Sequence, residues 1–270
     1  MKRLTIATVG MLSISAYAQP TYVTQLQEYD TWLKGTIGST SSKSDYDKGF
    51  IDPDTSGNVK SASSKTTGID LTAINMFEKS RYFTPGVLIS GAKVDDDGTD
   101  VSVFKVAGVV LSNINRQPTE FSIGYVGTSH ADYRNSVEIE FNIGSTENDP
   151  EFYNEFGFIY KSYIEKEGVS GANSLSILNT SSFRFSDAVD LVTHIGTSFT
   201  ADAEIDDVKV IDYGLEVTFG LGLDIHVDNS QTLQLSIANS LSKNDIFVSG
   251  EAVESDDTDT TINLSLINRF

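Results

Sequence analysis

The chain has 270 residues, 39% hydrophobic and 21% charged, with 19 Lys and Arg against 38 Asp and Glu and a formal net charge of −19. That balance lacks the basic clusters that phosphate binding requires and argues against nucleic acid as a partner; zero cysteines exclude disulfides, thiolate catalysis and Cys-ligated metals, and three histidines are too few for a His-rich centre. No apolar run reaches the roughly 18 residues of a transmembrane helix, a test that a membrane β-barrel does not have to pass.

The chain starts with Lys2 and Arg3, continues with an apolar stretch over 4–14, and reaches the small-x-small box Ala16-Tyr17-Ala18. This order is that of a cleavable export signal over residues 1–18. Loss of Lys2 and Arg3 leaves the mature chain more acidic still.

From residue 30 onward apolar side chains recur at every second position, a period that gathers them on one face of a strand and scatters them around a helix. Segments near 30–40, 66–77, 86–94, 101–114 and 119–129 carry the pattern with interruptions; in 86–94 and 101–114 both faces are partly apolar, so their orientation stays open. Val137, Ile139, Phe141 and Ile143 then alternate with Ser136, Glu138, Glu140 and Asn142. Phe156, Phe158 and Tyr160 alternate with Glu155, Gly157 and Lys161, and Leu175, Ile177, Phe183 and Phe185 oppose Ser176, Ser182 and Arg184. A weaker segment covers 189–201. The purest runs over 211–227, where every odd position is apolar or aromatic and the even ones are Asp212, Gly214, Glu216, Thr218, Gly220, Gly222, Asp224 and His226. It exceeds the roughly 3–10 residues of a globular strand and suffices for the 9–11 or so of a tilted strand crossing a bilayer. Leu233, Leu235 and Ile237 follow, and Ile262, Leu264, Leu266 and Phe270 close the chain. Twelve strands result, with ten or fourteen as the alternatives.

Two kinds of connection alternate between them. Lys79-Ser80-Arg81, Asn115 to Pro118, Glu147 to Pro150, Ser186-Asp187-Ala188 and Asp228-Asn229-Ser230 are tight turn material. Longer or more acidic connections run over 41–65, 95–100, 130–132, 166–172, 201–207 and 252–259. In the first of these, Asp52, Asp54 and Ser56 resemble the start of a calcium loop, but Ser63 stands where the bidentate Glu belongs and Lys60 where a neutral or acidic ligand is favoured. No other metal and no cofactor is expected, and the runs at 95–97 and 256–257 read as solvated tips.

With its export signal, alternating segments and a last strand ending on Phe270, the chain resembles a Gram-negative outer-membrane β-barrel protein. The resemblance implies an all-β, antiparallel up-and-down transmembrane barrel with short periplasmic turns and longer acidic extracellular loops. Residues 19–29 would be a short N-terminal periplasmic segment and 30–270 the barrel. Phe270, Leu266, Leu264 and Ile262 match the signal read by the barrel-assembly machinery in that class, although Asn268 occupies a place commonly apolar there. Outer-membrane lipid and lipopolysaccharide, that machinery and small solutes are the partners implied. The topology places Phe77, Phe121, Phe141, Phe152, Phe185 and Phe270 near the periplasmic rim and Tyr133, Tyr163 and Tyr213 toward the outer rim, as aromatic girdles require.

A lipid-facing Arg or Lys at the midplane costs about 2–4 kcal/mol, so strand charges should point inward. The candidate pore-lining residues are therefore Arg134, Glu138, Glu140, Glu155, Lys161, Arg184, His194, Asp212, Glu216 and Asp224, joined by Glu165, Lys34, Asp70 and Lys105. Such a lining suits a porin-like passive channel for small hydrophilic solutes, or else a self-satisfied network that closes a structural or surface-interaction barrel. Twelve strands lie between the filled barrels of about eight and the open ones of about sixteen, and the inward Gly214, Gly220 and Gly222 tilt the balance to a narrow channel unless bulky neighbours occupy them. An outer-membrane lipid hydrolase needs a nucleophile beside a base; Ser129 with His130 and Ser198 with His194 are the nearest approaches and lack that class's context. An autotransporter-like translocator is the remaining alternative, with no passenger in residues 19–30. Catalysis is not expected.

Overall fold

The computed structural model describes residues 24, 26–51, 58–96, 98–129, 133–145, 151–166, 168–205, 208–228, 230–248 and 251–270. The export signal, Asp52, Asp54 and Ser56 of the calcium-like loop, and His130 lie outside the described residues.

The described chain is built from strands: β1 (Thr31–Ile51), β2 (Asn58–Met76), β3 (Phe83–Asp96), β4 (Thr99–Ile114), β5 (Gln117–Thr128), β6 (Ser136–Gly144), β7 (Phe152–Tyr163), β8 (Val169–Gly171), β9 (Ser174–Ser186), β10 (Val189–Thr200), β11 (Ala203–Ile205), β12 (Val208–His226), β13 (Gln231–Val248) and β14 (Glu251–Arg269). Twelve long strands pair antiparallel with their sequence neighbours, and β1 pairs with β14 from Trp32 opposite Arg269 to Tyr46 opposite Ser255, closing the ring. The short β8 and β11 pair with each other and lean on the far end of β12. Closure leaves no edge in the ring, which is the condition for a sheet in hydrocarbon.

Alternation decides which face each side chain takes. On β12, Leu215, Val217, Phe219, Leu221, Leu223 and Ile225 are exposed on the outside, while Gly214, Thr218, Gly220, Gly222 and Asp224 are buried inside. The same division holds on β14, with Ile262, Leu264 and Leu266 outside and Thr261, Asn263 and Ser265 inside. On these strands the exposed face is apolar and the buried face polar. Pairing also fixes the orientation that the sequence leaves open: β3 turns Val87 and Ile89 out and Ser90 in, and β4 turns Phe104 and Val106 out and Lys105, Ala107 and Val109 in.

The start of β1 and the end of β14 lie at one rim, here the terminal rim, where the turns are short. Between β4 and β5 only Asn115 and Arg116 intervene, both with positive φ (53° and 69°), the two-residue geometry whose twist matches a hairpin. The acidic connections all lie at the far rim, but most continue as strand. β1 and β2 run on together from Ser41 opposite Lys65 toward Ile51 opposite Asn58, and β13 and β14 stay paired to Val248 opposite Glu251. Residues 252–259, expected as loop, belong to β14. Period-two hydropathy marks a strand only where its two faces meet different surroundings; in these extensions Ser, Thr, Lys and Asp occupy both faces, so no alternation betrays them.

Two of the aromatics expected in the outer girdle face inward. The Tyr133 hydroxyl donates to Asp96 Oδ2 (2.8 Å), and the Tyr163 ring lies under Arg134 and Lys161, 4.9 and 5.3 Å from its centroid. Tyr213 is exposed on the outside, as are Phe77, Phe121, Phe185 and Phe270 toward the other rim.

Candidate functional site: the barrel lumen

The inner surface divides into two walls. Across β4 to β7 it is ionic. Lys105 on β4 reaches over β5, where Ser122 and Gly124 stand, to the carboxylates of β6: it contacts Glu140 and holds Glu138 at 2.9 Å. A β-carbon on Gly124 would lie 2.7 Å from Ala107 Cβ, so that path needs glycine. Lys161 on β7, register partner of Glu138, completes a Lys–Glu–Lys bridge at 3.0 Å. Nearer the terminal rim, Asn142 Nδ2 donates to Glu120 Oε2 (3.0 Å). Toward the far rim, Arg134 donates to the carbonyls of Val169 and Gly171, so it ties β8 to the wall.

The opposite wall, β9 to β14 with β1, is mostly hydroxyls and amides joined across strands. Thr36 pairs with Ser265 (3.0 Å), Thr40 with Thr261 (2.9 Å), Thr218 with Ser240 (2.7 Å) and Ser176 with Ser198 (2.9 Å). Its charges are spaced along a chain of partners. Lys34, only 1% exposed, donates to Gln234 Oε1 (3.0 Å), and Gln234 Nε2 donates to Asp224 Oδ1 (2.9 Å). Asp190 accepts from Arg184 (3.3 Å) and bonds His226 Nε2 (2.9 Å), whose Nδ1 meets Thr232 (3.2 Å).

Of the candidate lining residues, Glu138, Glu140, Glu155, Lys161, His194, Glu216 and Asp224 therefore face the interior, Arg134 sits at its far mouth and Arg184 near the terminal one. Asp212 does not: a register shift between Ile211 and Tyr213 turns it to the outer surface, where it is 47% exposed and pairs with Lys209 (2.5 Å). A one-residue bulge reverses every facing assignment beyond it, and alternation read from the sequence continues straight through. Asp190 and His226 were missed as a pair, because hydropathy gives no sign of contacts 36 residues apart.

Nor do the inward glycines leave open space. Asn244 fills the position beside Gly214, and a β-carbon on Gly220 would lie 3.2 Å from Ala238 Cβ and 3.5 Å from His194 Cβ. His194 and Ser198 do not form a nucleophile–base pair: His194 Nδ1 bonds Thr180 (3.0 Å) and Ser198 bonds Ser176.

Within the terminal-rim mouth the lining turns apolar. Trp32, Ile74, Met76, Val109, Leu111 and Ile267 form a buried cluster, and Leu26, ahead of β1, packs into it. Thr24 lies inside as well, its hydroxyl donating to Glu155 Oε2 (2.6 Å).

No protein-family model and no curated protein matches the chain. Solved structures of similar fold include two outer-membrane proteins. One is an outer-membrane channel from Pseudomonas putida F1, with 12% sequence identity, 91% of this chain and 97% of that one covered, and a TM-score of 0.67. The other is the translocator domain of the autotransporter NalP from Neisseria meningitidis, with 11% identity, 98% and 97% covered, and a TM-score of 0.57. The fold is that of an outer-membrane β-barrel.

Proposed function

We propose that the protein is a passive channel of the bacterial outer membrane for small hydrophilic solutes, with a preference for cations. The observation that carries this reading is the polar inner face, which runs along the strands inside an apolar outer belt. Carboxylates outnumber cations on both walls, with Glu120, Glu138, Glu140 and Glu155 against Lys105, Lys161 and Arg134 on one side, and Asp190, Glu216 and Asp224 against Lys34 and Arg184 on the other, and Asp70 on β2 adds one more. In a narrow, low-dielectric passage this excess raises the local concentration of cations. The terminal rim then faces the periplasm, the tall acidic hairpins face the lipopolysaccharide, and Phe270 with Leu266, Leu264 and Ile262 addresses the assembly machinery. No catalytic role is assigned.

The test is reconstitution into planar bilayers under a salt gradient. Discrete conductance steps with a reversal potential of cationic sign are expected; insertion that is silent at every voltage would overturn the reading. The competing reading, a barrel kept closed, is favoured by the Thr24 and Leu26 contacts within one mouth.

A further inference from the structure

We infer that the segment ahead of β1 is a strap across the terminal-rim mouth, hinged on β1 and β14 and latched on β7, and that its release sets conduction. Three observations on the described residues 24 and 26–30 carry this.

The first is a built reversal of the chain. Gln27 N–H donates to the Asp30 carboxylate (2.7 Å), Asp30 N–H donates to the Gln27 carbonyl (3.2 Å), and Tyr29 takes a left-handed φ of 64°. The turn is fastened to the rim at two points. Arg269 on β14 donates to Asp30 Oδ2 at 2.6 and 3.1 Å, and Lys79 N–H, in the β2–β3 turn, donates to Glu28 (3.1 Å). Leu26 and Thr24 are thereby turned back into the barrel.

The second is the patch that receives them. An apolar cluster on the inside of a polar lumen is out of place unless something apolar covers it. Leu26, 7% exposed, packs into that cluster. The third is the landing point. Thr24, 5% exposed, donates to Glu155 and bonds the Tyr153 hydroxyl, both on β7. Among the twelve staves β7 stands opposite β1, six places away in either direction. Twelve strands about 4.8 Å apart and tilted by roughly 40° make a ring about 24 Å across between backbones. The turn keeps Gln27 within about 7 Å of Asp30, and the three steps from Gln27 to Thr24 add at most about 10 Å, so the strap crosses most of the mouth and the inward side chain of Glu155, bonded to Thr24, covers the rest.

The strap holds by one apolar anchor and a few hydrogen bonds, whereas the barrel holds by ladders on every stave, so it opens locally while the wall stays closed. Lumen size at this rim is then a property of the described residues 24 and 26–30 ahead of the barrel.

The inference rests on the channel reading, and the experiment separates the two. In the otherwise cysteine-free chain, Thr24→Cys and Glu155→Cys are combined, and a short bismethanethiosulfonate linker joins them in refolded protein in vesicles. Cross-linking in high yield, lost when Leu26→Ser is added, is expected. In planar bilayers, the linked protein should stay in its lowest conductance level, reduction should restore the higher ones, and L26S alone should raise mean conductance at least threefold. Heat-modified gel mobility verifies that each variant is folded; should L26S not fold, Thr24→Val replaces it in the conductance measurement, with the same expected direction. Linked and reduced proteins that conduct alike would overturn the strap, as would the absence of cross-linking. If every form is silent the channel reading fails, and the cross-linking yield alone decides whether the strap is in place.

Discussion

The wall formed by β13, β14, β1 and β2 and the wall formed by β5, β6 and β7 perform the same task with different means. The first uses strands of 18 to 21 residues and the second strands of 9 to 12. At about 3.4 Å per residue and a tilt of roughly 40°, β1 stands about 54 Å tall and β6 about 23 Å, against an apolar band of about 25 Å. The short wall therefore barely crosses the membrane, while the tall wall continues as far again beyond it. Their interiors differ in parallel: the short wall is braced by desolvated ion pairs, the tall one by neutral hydroxyl pairs. Outside, the short wall and its neighbour β9 carry aromatics in contact, Phe141 with Phe158 and Phe152 with Phe183, where β12 to β14 present mainly aliphatic side chains. Ionic bracing makes a wall sensitive to the loss of one residue, and neutral pairing makes it tolerant.

The largest effect should come from Lys105→Met. It leaves Glu140 with a buried charge and Glu138 with only Lys161, and removing one partner of a buried pair costs about 3–5 kcal/mol. Urea unfolding in vesicles, followed by tryptophan fluorescence, reads this directly. The double variant K105M/E140L removes both charges and should lie closer to the wild type than K105M does. A K105M protein as stable as wild type would remove the distinction between the walls.

That distinction was only partly legible beforehand. The strand number, the antiparallel ring and the facing of β12 followed from alternation, because bilayer and lumen impose opposite demands on adjacent residues. The inward placement of Glu138, Glu140 and Lys161 followed from the cost of charge in lipid. What was not legible depends on register or on water. The bulge that expels Asp212 is a single-residue event in the pairing with β13. The strand extensions of β1 and β14 carry no hydropathic signal. Height alone points Tyr133 and Tyr163 to a girdle, whereas their facing depends on polar partners, Asp96 for one and two cations for the other.

The height difference is tested on the outer surface of β1. Ile37 lies within the apolar belt and Ser41 just above it, where outward residues become Ser41, Lys43 and Asp45. Ile37→Arg should cost about 2–4 kcal/mol and Ser41→Arg less than about 0.5. Equal costs, measured by the same unfolding assay, would place Ser41 in lipid and lower the tall wall's projection.

A smaller effect is expected inside the same wall. Thr40→Val deprives the buried Thr261 hydroxyl of its partner, at about 1–2 kcal/mol, while T40V/T261V replaces both by apolar groups of similar shape and should be nearly neutral. The contrast with Lys105 is the point of the measurement: if T40V costs as much as K105M, neutral pairing is no more tolerant than ionic bracing.

The smallest effect lies at the terminal-rim end of the tall wall, in the turn between β12 and β13. Asp228 Oδ1 accepts from Ser230 Oγ (2.8 Å), Ser230 N–H (2.7 Å) and Gln231 N–H (2.8 Å). These bonds, the one from the Ser230 hydroxyl foremost, favour the carboxylate and hold its pKa below the ordinary 3.8. A depressed folded-state value means that the stabilisation is complete above the unfolded-state pKa and fades as the pH falls through the folded-state one. Asp228→Asn keeps an acceptor and removes only the charge, so its melting temperature should sit slightly below that of the wild type at pH 7. The gap should shrink below about pH 4 and vanish once Asp228 is protonated. A gap that persists unchanged at pH 2.5 would assign the effect to altered turn geometry instead of charge. The fully exposed position keeps the effect small, because water screens what a buried Lys105 feels in full.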